Sequence, residues 1–329
     1  MRLMALTFGD ENTASTYFRV LQYEPLFQAA GITLHHTHAK TFTDFTSLGQ
    51  YDVVLLQKTI LSRGTVRQIR RHAKRLVYDV DDRIWIRPNR PYDWWTRRRL
   101  DRRLRHILAQ ADTVTVANRV LVDDCRALGG QAEVFPMALD GEAWVPHSQP
   151  RNGPLVIGWT GFPVSLPFLQ SVWPVLQEVQ QKHPDTRVQL HTPEDPHWNG
   201  VQYEFVPHVP NEEPDVIRQF DIGLLPLDDT PSARGKSPCK TLQYFASGAA
   251  VVCSPVGATM DMATDDTLCR HATTPAEWAT ALEELITQHD TRRSLAAAGR
   301  ATFEERFDTH VVFNQILKLW GLDHPKPAA

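Results

Sequence analysis

The sequence predicts two α/β domains, each built on an open parallel sheet, joined by one short linker. Three observations carry this prediction: the length of 329 residues, strand-like runs that alternate with helix-like stretches, and one break in that alternation near the middle. Single hydrophobic cores rarely serve more than about 250 to 300 residues, so a chain of this length is expected to divide. Alternating strands and helices form βαβ units, which produce parallel sheets of the Rossmann-like kind.

The first Rossmann-like domain is predicted over residues 1–147. Short apolar runs recur there between helix-like stretches, and we predict strands at residues 3–8, 32–36, 53–56, 76–78, 113–116 and 132–135. The pattern breaks at residues 145–154, where prolines, a glycine and polar residues interrupt any periodicity. We therefore place the interdomain linker in that segment.

The second Rossmann-like domain is predicted over residues 148–306, with strands at residues 155–159, 188–191, 203–206, 222–225 and 250–254. Residues 307–329 are predicted to form a last helix that returns toward the first domain, followed by a loose Pro-rich tail. Open α/β sheets bind ligands at the carboxyl ends of their strands. We therefore expect the active site in a cleft between the two domains.

Composition narrows the class of protein. A net charge of −3 argues against a chain that binds polyanions as a whole, so no nucleic-acid partner is expected. The four cysteines, at positions 125, 239, 253 and 269, have no CxxC spacing and are expected to be reduced packing residues. Because no apolar run is long enough for a leader or a membrane span, we expect a cytoplasmic protein, with peripheral attachment to the inner face of the membrane left open.

A basic segment in the second half precedes a well-bounded helix. Ser237 suits the N-cap, Pro238 the first helical position and Gly248 the stop, which predicts about three helical turns. A lysine at position 240 then lies in the first turn, where the helix dipole disfavours a cation by up to about 1 kcal/mol. An anion is therefore expected to bind at this helix start.

The basic side chains at this helix start are typical of a diphosphate site. Arg234, Lys236 and Lys240 would supply positive charge next to free backbone N–H groups, and Gly235 would allow close approach of the backbone. The alternative is a surface loop whose cations pair with nearby aspartates. A second glycine turn, at Gly161 after the first strand of the second domain, either faces the same phosphates or is an ordinary βα turn.

An aspartate cluster follows the fourth predicted strand. We predict that Asp79 or Asp82 contacts an acceptor hydroxyl or orients a loop at the cleft, whereas the Asp81 side chain can point the other way. Two alternatives are a divalent-ion site of DxD spacing and a loop held by pairing with Arg83. If the basic segment already neutralises the phosphates, a metal is redundant, so we expect neither a metal nor another cofactor.

Several runs of this sequence together resemble family 4 glycosyltransferases. They are STYFRV at residues 15–20, YDVDD at 78–82, IGWTG at 157–161, FDIGLLPLDD at 220–229, KTLQYFASG at 240–248 and SPVG at 254–257. The resemblance covers nearly the whole chain. It implies the GT-B architecture, a nucleotide-diphosphate sugar donor held by the second domain, and transfer with retention of configuration to a carbohydrate or lipid-linked glycan in polysaccharide biosynthesis.

The resemblance also implies roles for individual residues. Lys236 and Lys240 are expected to stabilise the leaving diphosphate in a front-face displacement, with Asp79 and Asp82 as the other catalytic candidates. Further expected contacts are those of Thr241 with the diphosphate and of Gln243 and Leu242 with the donor sugar or ribose. Apart from the resemblance, Asn12, Ser15 and Arg19 follow the first strand, where a helix start faces the cleft, and we expect them and Asp81 on the acceptor side; core packing and capping explain Ser15 equally well. Many relatives have a glutamate at the position of Gln243. Alternatives are a nucleotide-sugar epimerase of the same fold and a catalytically silent nucleotide-sugar-binding protein.

Two weaker patterns remain. The stretch from Trp94 to Arg105 predicts a helix with one apolar face and one arginine-rich face, which either contacts an anionic membrane or is simply solvated. His35, His36 and His38 could suggest a metal, but neighbouring residues of a strand point to opposite faces. We therefore predict no metal ligands.

Overall fold

The computed structural model of the chain describes residues 1–87, 91–147, 153–210, 212–237, 239–263 and 266–323. By its internal contacts the chain divides into two compact units. The first unit comprises Met1–Ala138, Thr230–Ser237 and Thr309–Ala329, and the second comprises Leu139–Asp229 and Pro238–Asp308. Pro238, residues 148–152 of the predicted linker and the end of the predicted tail lie outside the described residues.

The described residues form twelve strands, and every pairing between them is parallel. The strands are β1 (Arg2–Thr7), β2 (Thr33–His38), β3 (Val53–Gln57), β4 (Leu76–Val80), β5 (Thr113–Val116), β6 (Glu133–Val134), β7 (Val156–Thr160), β8 (Arg187–Thr192), β9 (Tyr203–Pro207), β10 (Ile222–Leu225), β11 (Ala250–Cys253) and β12 (Arg270–His271). One six-stranded sheet has the order β2-β1-β3-β4-β5-β6, and the other has the order β12-β11-β10-β7-β8-β9. The predicted pair of parallel α/β sheets is confirmed.

The α-helices of the described residues connect these strands. They are α1 (Ala14–Arg19), α2 (Glu24–Ala29), α3 (Arg63–His72), α4 (Trp94–Gln110), α5 (Arg119–Ala127), α6 (Leu166–Lys182), α7 (Glu213–Ile217), α8 (Pro231–Arg234), α9 (Cys239–Ala246), α10 (Ala258–Met262), α11 (Pro275–Thr287), α12 (His289–Arg306) and α13 (Thr309–Trp320). Several start at a side chain that accepts a backbone N–H, such as Ser62 before α3 and Asn118 before α5. Such caps satisfy donors that the helix itself leaves unpaired.

The sheet of the first unit is covered on both faces. Leu3 and Ala5 of β1 belong to one apolar cluster, whereas Met4 and Leu6 belong to the other, as strand alternation requires. On the face that holds Leu3 and Ala5, α13 packs its aromatic side chains against the sheet. Phe313 of α13 contacts Phe27 of α2, and Trp320 of α13 contacts Phe135, which follows β6. Burial of both faces explains why β3 and β4 are apolar almost throughout.

The second unit packs α6 and α11 against one face of its sheet. Leu169, Val172 and Leu176 of α6 join Trp278 and Leu282 of α11 in a single apolar cluster. Gly248 follows α9 with a φ of 74°, the left-handed conformation that glycine adopts most readily, so the predicted helix stop is confirmed. No helix in the described part of the chain combines the length and apolar character needed to cross a bilayer.

Candidate functional site

The carboxyl ends of β1, β3 and β4 lie side by side in the first unit and gather its predicted acidic residues. Asp79 of β4 is buried and forms a two-point ion pair with Arg19 of α1, with separations of 3.0 Å from Nε to Oδ2 and 2.5 Å from Nη2 to Oδ1. Thr115 of β5 donates a further hydrogen bond to Oδ1 at 2.7 Å. Both oxygens of this carboxylate are therefore occupied by side chains of the unit itself.

Arg19 is bound on every side. Its Nη1 donates to the carbonyl oxygens of Phe135 and Pro136 at 2.7 and 3.2 Å, and its guanidinium carbon lies 3.7 Å from the centre of the Phe135 ring. Burial alone would lower the pKa of Arg19, but the charge of Asp79 and its hydrogen bonds outweigh burial, so this pKa is raised. A fully paired and buried guanidinium of this kind holds α1 and the residues after β6 to the sheet.

Asp81 forms a second network with residues from β3 and α1. Ser15 donates to Oδ2 at 2.6 Å, and Lys58 Nζ lies 3.0 Å from Oδ1. Gln57 in turn donates to the Ser15 hydroxyl at 2.9 Å. Burial alone would raise the pKa of Asp81, but the charges of Lys58 and Arg19 outweigh it and lower this pKa, so the carboxylate is charged at neutral pH.

Lys58 has an unusual backbone. Its φ of 49° places a non-glycine residue in the left-handed region directly after β3, a conformation that costs about 1 to 3 kcal/mol unless its surroundings hold it. Here its backbone N–H donates to the Asp79 carbonyl at 2.7 Å, and its Nζ reaches Asp82 Oδ2 at 2.7 Å. Strained residues of this kind cluster at functional sites.

Asp82 is the accessible carboxylate of the three. Its side chain is 39% exposed, compared with 1% for Asp79 and 4% for Asp81. Its Oδ1 accepts the backbone N–H of Ser237 at 3.2 Å. The Asp82 side chain is therefore accessible to a ligand, whereas the carboxylates of Asp79 and Asp81 are enclosed by the side chains that they bind.

Residues 230–237 belong by their contacts to the first unit, although both flanking segments belong to the second. Arg83 donates to the Pro231 carbonyl at 2.6 Å and is itself held by both oxygens of Asp124, at 2.6 and 2.8 Å. A Cβ added at Gly235 would overlap the Arg83 side chain. The space beside Gly235, which we predicted would let a ligand approach, is therefore filled by the Arg83 side chain. The predicted pairing of Arg83 with the aspartates after β4 is wrong, because Arg83 pairs with Asp124.

The basic side chains of this segment differ in burial. Arg234 is exposed, whereas Lys236 is half-buried. Burial lowers the pKa of Lys236, and the charge of Asp82 opposes that effect. The Ser237 hydroxyl is buried without a hydrogen bond to any described residue, so the predicted cap bond from this side chain is not formed.

In the second unit, Lys240 lies in the first turn of α9. Its Nζ is 4.6 Å from the centre of the Trp159 ring, at the carboxyl end of β7. A Cβ added at the adjacent Gly161 would overlap both that ring and the Lys240 ammonium group. The three predicted features of this region, a glycine turn, a lysine and a helix start, therefore come together in one unit.

Hydrogen bonds of Thr160 hold the end of β7, next to the Trp159 ring that Lys240 contacts. The Thr160 backbone N–H donates to the Tyr244 hydroxyl at 3.2 Å, and Tyr244 donates to the Leu224 carbonyl at 3.0 Å. The Thr160 hydroxyl lies 3.0 Å from His191 Nδ1, and the ring of His208 is 5.2 Å from that of His191. These bonds fix the β7 turn that carries Gly161.

Comparison with known proteins places this geometry in context. Residues 173–318 match the model of a family described as glycosyl transferase-like. The sucrose-phosphate synthase of Thermosynechococcus elongatus is similar in structure, with a TM-score of 0.70, 15% identity and 98% of both chains covered. These findings support a glycosyltransferase. A search of curated proteins finds no match.

Two further solved structures are similar to this chain. HepE of Anabaena, in complex with UDP, has a TM-score of 0.70 at 13% identity, with 97% of this chain and 99% of HepE covered. A glycosyltransferase from Rickettsia africae has a TM-score of 0.66 at 10% identity, with 98% and 97% covered. At these identities the likeness shows the fold, which is GT-B.

The other predicted site residues of this GT-B chain differ in accessibility. Leu242 and Thr241 are fully buried in α9, and the Thr241 hydroxyl has no hydrogen bond to a described residue. Gln243 is 8% exposed. Asn12 is exposed, with its backbone N–H bonded to Asp10. Of the α9 residues after Lys240, none presents a largely exposed side chain to a ligand.

Sequence reasoning missed several residues of both networks. Lys58 and Gln57 follow an apolar strand in the same way as the aspartates. The rule that ligands bind at the carboxyl ends of parallel strands, which led us to the aspartates after β4, could therefore also have identified these two residues after β3. Trp159 and His191 could not be recognised as site residues in the sequence, because an aromatic side chain or a histidine at the end of a buried strand is usually part of the core.

His191 predicts a pH dependence of stability. Burial and then the charge of His208 lower the pKa of His191 to about 4, below its ordinary 6.5. Between these two pH values the unfolded chain binds more protons, so the free energy of unfolding falls as pH falls from 6.5 to 4. Urea unfolding across this range should show that slope, reduced in His191→Gln and unchanged in His36→Gln. Equal slopes in all three proteins would contradict the assignment.

Proposed function

We propose that this chain is a retaining glycosyltransferase that moves a sugar from a nucleotide-diphosphate sugar to a carbohydrate or lipid-linked glycan. The observation that carries the proposal is Lys240, placed in the first turn of α9 with its ammonium group over Trp159 and beside Gly161. A cation, a helix start and a glycine turn that lets this cation lie against the backbone together favour a phosphate group.

The donor phosphates are proposed to interact with basic side chains of the segment around α9. Lys240, Lys236 and Arg234 are the candidates. As the bond between sugar and diphosphate breaks, negative charge grows on the leaving phosphate, and these cations stabilise it more than they stabilise the intact donor. This charge balance supports a reaction without an essential divalent ion or other cofactor.

The proposed reaction is a front-face displacement. The acceptor hydroxyl attacks the anomeric carbon on the side from which the diphosphate leaves, and a phosphate oxygen takes the hydroxyl proton. Configuration is thereby retained without a nucleophilic side chain. Asp82, the accessible carboxylate beside Lys58 and the Ser237 backbone, is proposed to contact the acceptor hydroxyl. Arg19 and Asp79 are proposed to position this edge of the sheet, and Asn12, Ser15 and Asp81 to lie on the acceptor side.

UDP-sugars are the first donors to test, because HepE has been solved with UDP and with UDP-glucose. The assay incubates the chain with UDP-glucose and a panel of glycan and lipid-linked acceptors, and follows UDP release and the anomeric proton of the product by NMR. Acceptor-dependent UDP release with an α-linked product is the expected result. Conversion of the donor to another UDP-sugar without an acceptor would indicate an epimerase instead, and binding without turnover of any donor would indicate a silent binding protein.

Gly161→Ala is predicted to weaken diphosphate binding by about tenfold or more, since a lost charge-assisted contact costs about 1.5 to 3 kcal/mol. The added Cβ would overlap both the Trp159 ring and the Lys240 ammonium group, so one of them must move. Calorimetric titration with UDP measures the effect. Gly153→Ala is the matched control, because a Cβ at that position meets no atom within 4 Å. Equal affinities for the two variants would remove Gly161 from the site.

Peripheral membrane contact through α4 is a further part of the proposal. Trp94 and Trp95 are 55% and 75% exposed, and Arg98, Arg99, Arg102 and Arg103 line one surface groove with Arg63. Each arginine near an anionic surface contributes about 1 kcal/mol, so replacing the four α4 arginines by glutamine should weaken binding by two to three orders of magnitude. Flotation at low salt with phosphatidylglycerol vesicles measures this, with phosphatidylcholine vesicles as control. If the wild-type chain floats with neither kind of vesicle, the arginine-rich face of α4 is only solvated and the membrane proposal is wrong.

A further inference from the structure

Three side chains that can ligate a metal meet at the β12 edge of the second sheet. Cys253 ends β11 and pairs in parallel register with His271 of β12. Cys269 precedes His271 by two residues and therefore lies on the same face. The two sulfur atoms are 3.5 Å apart, and Cys269 Sγ is 3.4 Å from His271 Nε2. One ligand atom from each of the three residues lies within 4.8 Å of the others.

These separations fit a tetrahedral ion. Zinc binds thiolate sulfur at about 2.3 Å and imidazole nitrogen at about 2.0 to 2.1 Å, which gives tetrahedral edges of about 3.8 Å between sulfurs and about 3.6 Å between sulfur and nitrogen. The distances from Cys269 Sγ to Cys253 Sγ and to His271 Nε2 differ from these edges by a few tenths of an ångström. Two thiolates and one imidazole form a soft donor set, which favours zinc over magnesium or calcium.

The surroundings of His271 support the same assignment. Its Nε2 faces the sulfur of Cys269, and its Nδ1 faces Asp266 Oδ1 at 3.6 Å. A metal-bound histidine commonly directs its other ring nitrogen to a carboxylate, which fixes the tautomer and the ring orientation. Arg270, between the two ligands in sequence, donates instead to both oxygens of Glu284 at 2.8 Å. Its positive charge is thereby neutralised by a partner outside the cluster.

Burial also suits an ion at this position. Both cysteines are fully buried, whereas the His271 side chain is 18% exposed. The cluster is therefore closed on the thiol side and reachable from solvent at the histidine. One divalent ion with two thiolates and a neutral imidazole carries no net charge, which keeps the cost of burying it low.

We propose that Cys253, Cys269 and His271 bind one zinc ion, with water or another small donor as the fourth ligand. The ion would tie β12 to β11. β12 has only two residues, and its connection to β11 includes the Ala272 N–H bond to the Cys253 carbonyl at 3.0 Å. The proposed role is structural and does not depend on the proposed glycosyl transfer.

Metal content tests the site in the full chain. Protein purified with zinc chloride under reducing conditions and then dialysed should retain one zinc per chain. Cys253→Ser and Cys269→Ser should each lose it, whereas Cys125→Ser and Cys239→Ser, at thiols outside the cluster, should keep it. Zinc content that is absent in the wild type, or equal in all of these proteins, would overturn the proposal.

Two further measurements remain decisive if a buried cysteine variant fails to fold. Cobalt bound to the wild-type chain should show thiolate-to-cobalt charge-transfer absorption, and His271→Gln should abolish or strongly shift it. Asp266→Asn, at an exposed position outside the ligand set, should weaken zinc binding about 10- to 100-fold. A cobalt complex without thiolate absorption, or a Cys253–Cys269 disulfide in protein kept anaerobic throughout purification, would show that no such site exists.

Discussion

Lys240→Ala and Lys236→Ala should each lower turnover at least a hundredfold. Removing one preorganised donor from a site of growing negative charge costs about 2.7 to 4 kcal/mol, equivalent to a factor of 10² to 10³ in kcat. Lys240 is held over Trp159 at 4.6 Å, and Lys236 is half-buried beside Asp82, so neither ammonium group is an ordinary solvated surface charge. The effect should appear mainly in kcat, because the proposed interaction strengthens as the diphosphate leaves.

Steady-state kinetics with the donor identified by the transfer assay measures this effect. Lys182→Ala, at an exposed lysine in the last turn of α6, is the matched control and should retain wild-type kinetics. Circular dichroism should show that all three variants fold. Turnover within a few-fold of wild type in either site variant would remove that lysine from the reaction.

Asp79→Asn should destabilise the chain by about 3 to 5 kcal/mol, the usual cost of leaving a buried charge without its partner. Arg19 and Asp79 are both inaccessible to solvent, and the asparagine amide cannot restore the lost charge. Urea unfolding at pH 7 measures the change. Asp123→Asn removes one partner of a pair that is 71% and 73% exposed, and should cost less than about 1 kcal/mol.

A double variant, Arg19→Met/Asp79→Leu, tests whether Asp79 acts by pairing with Arg19. It removes both charges, and it should be more stable than the sum of the two single changes predicts. If Asp79→Asn instead kept wild-type stability while losing turnover, Asp79 would act in the chemistry and our assignment of a positioning role would be wrong.

The strands of both sheets were predictable from sequence because most are buried on both faces. Buried parallel strands are apolar runs of recognisable length, and the predicted runs agree with β1 to β11 to within two residues at either end. β12 was missed because Arg270 and His271 form a strand too short and too polar for any periodic signal. The cysteine and histidine cluster was missed for the same reason, since it exists only once β12 pairs with β11.

Contacts between distant parts of the chain could not be predicted. The bond from Arg83 to the Pro231 carbonyl joins residues 148 positions apart, and it is among the contacts that place residues 230–237 with the first unit. The partner of Arg19 lies 60 residues away. The sequence indicated that carboxylates follow β4, but it did not indicate which of these carboxylates forms the ion pair with an arginine. That choice depends on side-chain geometry, which left Asp82 as the accessible carboxylate.

The most direct test of the central claim is calorimetric titration of the wild-type chain with UDP, GDP, dTDP and CDP. It should be performed in buffer without divalent cations and again with added magnesium or manganese, alongside the Lys236→Ala/Lys240→Ala double variant. We expect one nucleoside diphosphate to bind the wild type with equal affinity in both buffers and to lose its binding in the double variant. No binding of any of the four, or binding that requires the divalent cation, would contradict a metal-independent donor site at these lysines.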